Sequence, residues 1–524
     1  MSQPGKIPID YWEKFKLCNS DLEFLYNRLL EIEIPQSSQE LIKEIVKTRI
    51  KSIVDKQSEE QIQAGTIYLP KDSYAIGQSI TLPTLNWKTG KVENIRPGFN
   101  PEFGDFNVID IEVEDGRKMS FACNLQEHAL NIQANQKEID PLLDSENVFS
   151  TYGETLVAEI EDSLEINEEL VRIAGKWFPK SLLMDIHSGH LNLIEAVLEE
   201  SEGGPLSTKQ LIEQIDLKGD SNNQLTEFSL NFALQNDSRF DEVGPAGETF
   251  WYLKCMEPPE VINPPIYLQF NNLPYDKTSI IGFLQQFEGD LFDELEDWEK
   301  SNEVKDSLSV SLIYPHWRCG TLPLSNSLSR FFPTAYEAPR VRFTFVDGNS
   351  NSHFPGWVVR SSKYVYGLRD WYENNGLIPG SIVYLRKGEK PGEIIVTSEK
   401  CRQSREWMRT ALIGIDQGVV FGMLKQNIAT TYNERMAIVV PDQEGLDELW
   451  RKSIIKNEQL DHTISRIMHE LIKLNPQIHA QELYASVNIV RRCPPGLILT
   501  FLTSNKDIKH LGDLYFQISE IGED

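Results

Sequence analysis

Residue types able to do chemistry are sparse and scattered in this chain. Six cysteines stand at 18, 123, 255, 319, 401 and 493, with no Cys-x-x-Cys pair and no spacing suited to zinc. Such a distribution predicts buried thiols in a reducing compartment. His187 and His190, in IHSGH, lack a third ligand nearby and read as helix-end residues. The sequence has no phosphate-cradling GxxxxGK[ST] or GxGxxG loop, no GxSxG elbow, no HExxH zinc motif and no D…ExK nuclease arrangement after a strand pair. No catalytic residue, cofactor or metal ligand is therefore assigned, and the expectation is a protein that is not an enzyme. The uneven feature is charge. Between Leu308 and Arg409 fourteen Lys or Arg stand against eight Asp or Glu, an excess of six in a chain of net charge −28. Cations so grouped can bind phosphates by releasing counterions. Just upstream, Glu288–Asp306 (EGDLFDELEDWEKSNEVKD) is acidic. It reads either as a mimic that competes for the basic island or as a solvated acidic helix.

The elements that must position this island belong to several domains. A length of 524 residues exceeds one ordinary core, and 40% apolar residues suffice for packed interiors. The overall charge argues against a general nucleic-acid coat. No stretch approaches the roughly 18 apolar residues of a membrane span, and Met1–Lys16 does not read as a secretion signal. A cytoplasmic protein with no membrane contact is expected.

Residues 1–63 read as a helical segment, with Leu22, Leu25, Tyr26, Leu29 and Leu30 at helical spacing. A capping box at Ser37 and Glu40 opens a second helix. Residues 64–135 change to closely spaced strands (79–82, 91–95, 106–113, 118–121), the texture of a small β-barrel. Residues 136–256 form a helical region, and 257–306 an acidic connector.

Within the third region, residues 189–254 give three helices and a hairpin, the order of a winged helix. Ser207 and Gln210 form a capping box, Leu225, Phe228 and Phe232 share one helical face, and two apolar strands flank Gly244-Pro245-Ala246-Gly247. The GGPLSTKQLIEQ opening and the ALQNDSRFDEVGPAGETFWYL close resemble the HARE-type winged helix of the bacterial RNA polymerase delta subunit. Phe240 and Trp251 occupy the places of that family's core-plugging aromatics. The resemblance implies a protein partner such as RNA polymerase. Asp220–Ser238 contains no Lys or Arg, so the third helix lacks what a groove-reading helix needs.

Residues 307–400 read as a β-pseudobarrel. A turn is expected at Pro315–Gly320, a short helix near Ser327–Phe332, and strands at 341–346, 357–360 and 382–385. The pieces TLPLSNSLSRFFP, VRFTFVDG, GWVVR and YGLRDWYENNGLIPGSIVYL are similar to the plant B-three-type DNA-binding pseudobarrel. Ser381 and Leu368 depart from its pattern. That family grips the major groove with two arms, which fall here at Tyr314–Gly320 and Arg360–Tyr364. The resemblance thus implies nucleic-acid contact by His316, Trp317, Arg318, Arg360, Ser361, Lys363 and Tyr364. The alternative is that the aromatics are packing residues and the arginines pair with local carboxylates.

Residues 401–524 form a mixed α/β tail, with Trp407 as a packing residue, a strand at Ala437–Val440 and a second winged helix over 460–520. There, strands are expected at Leu497–Leu502 and Leu514–Ile518. The fold class is α+β multidomain. The expected function is a transcription-associated regulatory adaptor that contacts DNA or RNA through the basic pseudobarrel and protein through the acidic winged helix. The alternatives are a purely protein-binding scaffold or a nuclease-type enzyme.

Overall fold

The computed structural model describes residues 8, 10–63, 66–85, 88–101, 104–114, 116–128, 130–131, 141–217, 223–270, 275, 280, 282–296, 307–390, 392–415, 418–456 and 458–519. The architecture is mixed α and β. The chain forms two compact units, residues 1–172 with 176–183, and residues 173–175 with 184–524. Among the described residues, no helix is long and apolar enough to cross a membrane.

One motif recurs three times, as QSSQELI at 36–42, LSTKQLI at 206–212 and IHAQELY at 478–484. In each copy the second residue caps a helix and the fifth reaches back to the cap amide, as in Ser37 with Glu40, Ser207 with Gln210 and His479 with Glu482. These boxes satisfy donors that a helix start leaves orphaned. The leucine that follows is buried in every copy, at Leu41, Leu211 and Leu483.

Around each motif the same order of elements folds. A helix comes first (Asn19–Ile32, Ser188–Glu200, Leu460–Ile472), then a two-residue strand and the capped helix (Ser38–Gln63, Thr208–Gln214, Ala480–Val490). A third helix follows (Ser145–Glu165, Asn223–Gln235, Pro495–Ser504), then a two-stranded hairpin. In all three the short strand pairs with the last hairpin strand, and the same register sets Gln36 opposite Trp177, Leu206 opposite Trp251 and Ile478 opposite Phe516. Those three aromatics are buried. We call these the first, middle and last modules.

Two sequence expectations change here. The stretch expected to stay helical from about 150 contains the hairpin Leu170–Ile173 and Lys176–Pro179. Its turn is Ala174-Gly175, both at positive φ, the hairpin-type turn that matches strand twist. Residues 497–502, expected as a strand, belong to the helix Pro495–Ser504. Pro495 pre-sets its first turn, and an apolar run buried on most sides shows no helical alternation from which to recognise it.

The first module carries a five-stranded sheet between its second and third helices. Its strands run Thr66–Ile67, Ser79–Leu82, Lys88–Asn100, Gly104–Val113 and Lys118–Cys123 in sequence order. Lys88–Asn100 is one long strand that pairs with Gly104–Val113, with Asn100 opposite Gly104. Ile80, Val92, Ile109 and Ile111 fill the sheet's own core.

In the second unit a seven-stranded sheet takes the spatial order 307–311, 382–387, 393–397, 340–347, 353–359, 364–366, 321–323. Every pairing is antiparallel except Arg340–Asp347 with Glu393–Thr397. Phe343, Phe345, Val358, Val365 and Val383 fill its interior. The expected turn at Pro315–Gly320 is the helix Tyr314–Cys319, ended by Gly320 in the left-handed region, and the expected helix near 327–332 is a run of turns. Next comes a long hairpin, Lys400–Ile413 with Val419–Thr430. Ala437–Val440 makes only an isolated bridge at Val439 instead of a strand.

Candidate functional site

The two stretches expected to grip nucleic acid are separate in sequence and both bound up with the rest of the second unit. The first is the helix Tyr314–Cys319. Burial of its apolar side draws His316 inside, where the ring lies 2.9 Å from Thr321 Oγ1 through Nδ1 and 2.9 Å from Glu294 Oε2 through Nε2. Trp317 packs against the core and donates its indole N–H to the Leu377 carbonyl at 2.7 Å. Arg318 donates to both carboxylate oxygens of Asp447, at 3.3 and 2.7 Å. Tyr267 donates a further hydrogen bond to Asp447.

The second stretch is the tight link between strands 353–359 and 364–366. Arg360 donates to the carbonyls of Tyr336 and Ala338, at 3.3 and 2.8 Å. Lys363 turns the chain at φ 53°, and Tyr364 is fully buried, with its hydroxyl on the Glu260 carbonyl. Of the seven residues, Ser361 and Lys363 are the exposed ones. His316, Trp317 and Tyr364 pack the interior, Arg318 pairs with a carboxylate distant in sequence, and Arg360 bonds backbone carbonyls instead of the local carboxylates of the alternative reading. A buried donor already bonded to a protein acceptor gains little from a phosphate and must first be stripped of its partner.

The acidic connector buries several carboxylates of its own. The helix Phe283–Asp290 and the turn after it bury Glu288, Asp293, Glu294 and Glu296. The described part of the block is therefore neither a solvated helix nor a free arm; residues 297–306 lie outside the described residues. Asp293 and Glu294 hold Arg492, itself buried, whose Nε lies 3.1 Å from Glu294. Tyr484 donates to Asp293, and Asn488 accepts from Arg492 at 3.0 Å. Burial raises the Glu294 carboxyl, but Arg492 and His316 outweigh it and hold the group well below the ordinary carboxylate range. Glu296 has no such partner among the described residues. Burial, then the nearby Asp293, Glu288 and Glu294, push it up to about 8, opposed by Lys363. Glu242 rises to about 8 for similar reasons, by burial and then by Glu337 and Asp241, opposed by Arg360.

Three cations of the basic island are met by carboxylates from outside it: Arg318 by Asp447, Arg340 by Asp241 and Arg409 by Glu482. Net charge per segment could not show this, because each partner lies outside the island in sequence.

A cleft of about 620 Å³ opens beside the helix Arg369–Asn374, lined by Asp347, Phe354, Trp357, Arg369 and Trp371 among others. Asp347 is engaged by Ser350 at 2.6 Å and the Asn349 amide at 3.0 Å, so its carboxylate is committed to the turn. Among the described residues no group of three or more His, Cys, Asp or Glu is placed to hold a metal. His187 caps the helix Ser188–Glu200, and its ring lies 6.3 Å from that of His190. Cys123, Cys319 and Cys493 are buried, whereas Cys18, Cys255 and Cys401 are exposed, against the expectation that all six are interior.

The chain matches no protein-family model, no characterised protein and no solved structure. Its function has to be argued from its own residues. The third helices are the decisive elements. Ser145–Glu165 contains six carboxylates and no Lys or Arg, and Asn223–Gln235 and Pro495–Ser504 contain no Lys or Arg either. The helix of the last module is also buried along most of its length, through Pro495, Gly496, Ile498, Leu499 and Leu502.

Sequence reasoning missed Trp407, which was expected to pack and is 61% exposed. The signal was present as Arg405-x-Trp407-x-Arg409, a period-two row of cations around an aromatic.

Proposed function

We propose that this chain is an adaptor whose three modules are winged helices that contact protein, with the seven-stranded pseudobarrel as the body that holds the middle and last of them. The observation that carries this reading is the absence of any Lys or Arg from all three third helices. A helix that enters a DNA groove needs donors and positive charge there. A carboxylate-rich helix would instead repel phosphates and favour a basic protein surface. Glu154, Asp162 and Glu165 are exposed on the third helix of the first module and make it the leading contact face. The internal pairing of the barrel's arginines supports the same reading over DNA contact by the barrel arms.

The resemblance of the middle module to a polymerase subunit makes bacterial RNA polymerase the first partner to try. Immobilised full-length chain should bind polymerase core enzyme saturably, and the variant Glu154→Lys/Asp162→Lys/Glu165→Lys should bind at least about ten times more weakly, the loss of about 1.4 kcal/mol. Failure to bind polymerase together with saturable binding of a random duplex at about 50 mM salt, where phosphate contacts remain strong, would reverse the assignment.

A further inference from the structure

The hairpin Lys400–Ile413 with Val419–Thr430 is packed at its turn end and open toward its base. Near the turn, Ala411, Val419 and Phe421 enter the main core. Toward the base, residues 400–407 are all exposed, as are Met423, Leu424, Lys425 and Asn427. The register sets Arg405 opposite Asn427, Trp407 opposite Lys425 and Arg409 opposite Met423. Directly opposed residues point to the same side of a ribbon, so these six form one face. That face has three cations, one indole, one amide and no carboxylate. The other face carries Glu406 and is partly closed, because Met408 and Ile428 bury against Ala437.

The cations differ in availability. Arg409 is held by Glu482 at 2.8 Å and by the Arg435 carbonyl at 2.9 Å, so it fixes the end of the ribbon. Arg405 and, in the irregular stretch between Lys400 and Ser404, Arg402 are exposed and have no ion pair among the described residues. Lys425 sits 5.1 Å from the Trp407 ring centroid, and 61% of Trp407 remains open to solvent. Phe99, Phe283 and Tyr336 are also more than half exposed, but Trp407 stands between cations on an open β surface.

We infer that this face binds single-stranded nucleic acid, one base stacking on Trp407 and the adjoining phosphates meeting Arg405, Lys425 and Arg402. Every base presents a π-face, so stacking on an exposed indole is tolerant of sequence, and flanking cations track the backbone. The acidity of the whole chain does not forbid this, since exposed charges are largely screened beyond about 8 Å at physiological salt. A duplex fits less well, because its bases are already stacked and the indole would have to unstack a step to reach one. This site is separate from the protein contacts assigned to the modules.

The test uses the full chain and labelled 12-mers, oligothymidine, oligouridine and a duplex, in fluorescence anisotropy at 50 and 200 mM salt. The expected result is that a single strand binds at least about ten times more tightly than the duplex. Affinity should weaken about ten-fold across that salt range, the slope for two to three phosphates at about 0.7 each. Trp407→Ala should lose about five-fold or more, the lower bound of base stacking, and Trp407→Phe should stay within about three-fold. Arg405→Glu/Lys425→Glu should abolish binding with an unchanged circular dichroism spectrum, as expected for exposed residues. Absence of single-strand binding at 50 mM salt, equal binding by wild type, Trp407→Ala and Arg405→Glu/Lys425→Glu, or a duplex bound as tightly as the single strand would each overturn the assignment. Whichever of the two single strands binds more tightly identifies the source as DNA or RNA.

Discussion

The indole of Trp177 donates its N–H to the hydroxyl of Ser38 at 2.9 Å, inside the core of the first module. Ser38 in turn donates a hydrogen bond to Glu161 at 2.8 Å. The middle module repeats the arrangement: Trp251 donates to Thr208 at 3.2 Å and to Asn231 at 3.0 Å. In the last module the two positions are Ala480 and Phe516, both apolar. The pair therefore changes together, polar with polar and apolar with apolar. A buried N–H without an acceptor costs about 1–3 kcal/mol, whereas replacing both partners can be nearly neutral. Ser38→Ala should cost about that much. Ser38→Ala/Trp177→Phe should then cost less than the sum of its single changes by about 1 kcal/mol, read as a double-mutant cycle in urea unfolding. Simple additivity would show that the hydrogen bond carries no energy.

Arg492 holds two buried carboxylates, so its removal strips Asp293 of its cation and leaves Glu294 with His316 alone. Breaking a buried ion pair from one side costs about 3–5 kcal/mol, while replacing all partners with neutral groups costs far less. Arg492→Met should therefore be severely destabilising, and adding Asp293→Asn with Glu294→Gln should recover much of the loss. Chemical denaturation of the two variants checks this, and a triple variant no more stable than Arg492→Met would count against the network as drawn.

Glu296 and Glu242 are raised from 4.5 to about 8 in the fold. Between those values the folded chain keeps protons that the unfolded chain has released, so their contribution is present below about 4.5 and is lost as pH rises through about 8. Glu296→Gln fixes the neutral form. The melting temperature of this variant should fall less between pH 5 and pH 8 than that of the parent chain. Parallel profiles would show that Glu296 is not protonated in the fold.

Arg318 and Lys363 both belong to the stretches that the barrel resemblance assigns to nucleic acid, yet the structure uses them differently. Arg318→Ala removes the cation from Asp447 and should cost about 1–3 kcal/mol. Lys363→Ala acts at an exposed side chain and should stay within about 0.5 kcal/mol. Thermal unfolding separates the two, and equal effects would mean that the Arg318 pair contributes nothing.

Local chemistry reached from the sequence as far as local chemistry decides the outcome. The capping boxes at Ser37 and Ser207 and the strand Ser79–Leu82 depend on neighbours within a few residues, and each forms where its pattern places it. The lack of cations in the third helix of the middle module was likewise plain in the residues. Tertiary structure alone decided what pairs at long range. The three modules share register and aromatic plug, but the inserted sheet splits the first and apolar burial hides the third helix of the last, so no local pattern repeats in full. The fate of the charges was equally out of reach. Arg492 finds Asp293 and Arg318 finds Asp447 across more than a hundred residues, and a carboxylate is neutral, paired or solvated according to the dielectric and partners that folding brings around it. Trp407 shows the converse: an aromatic in a strand reads as core, and only the absence of a covering element leaves it open to solvent.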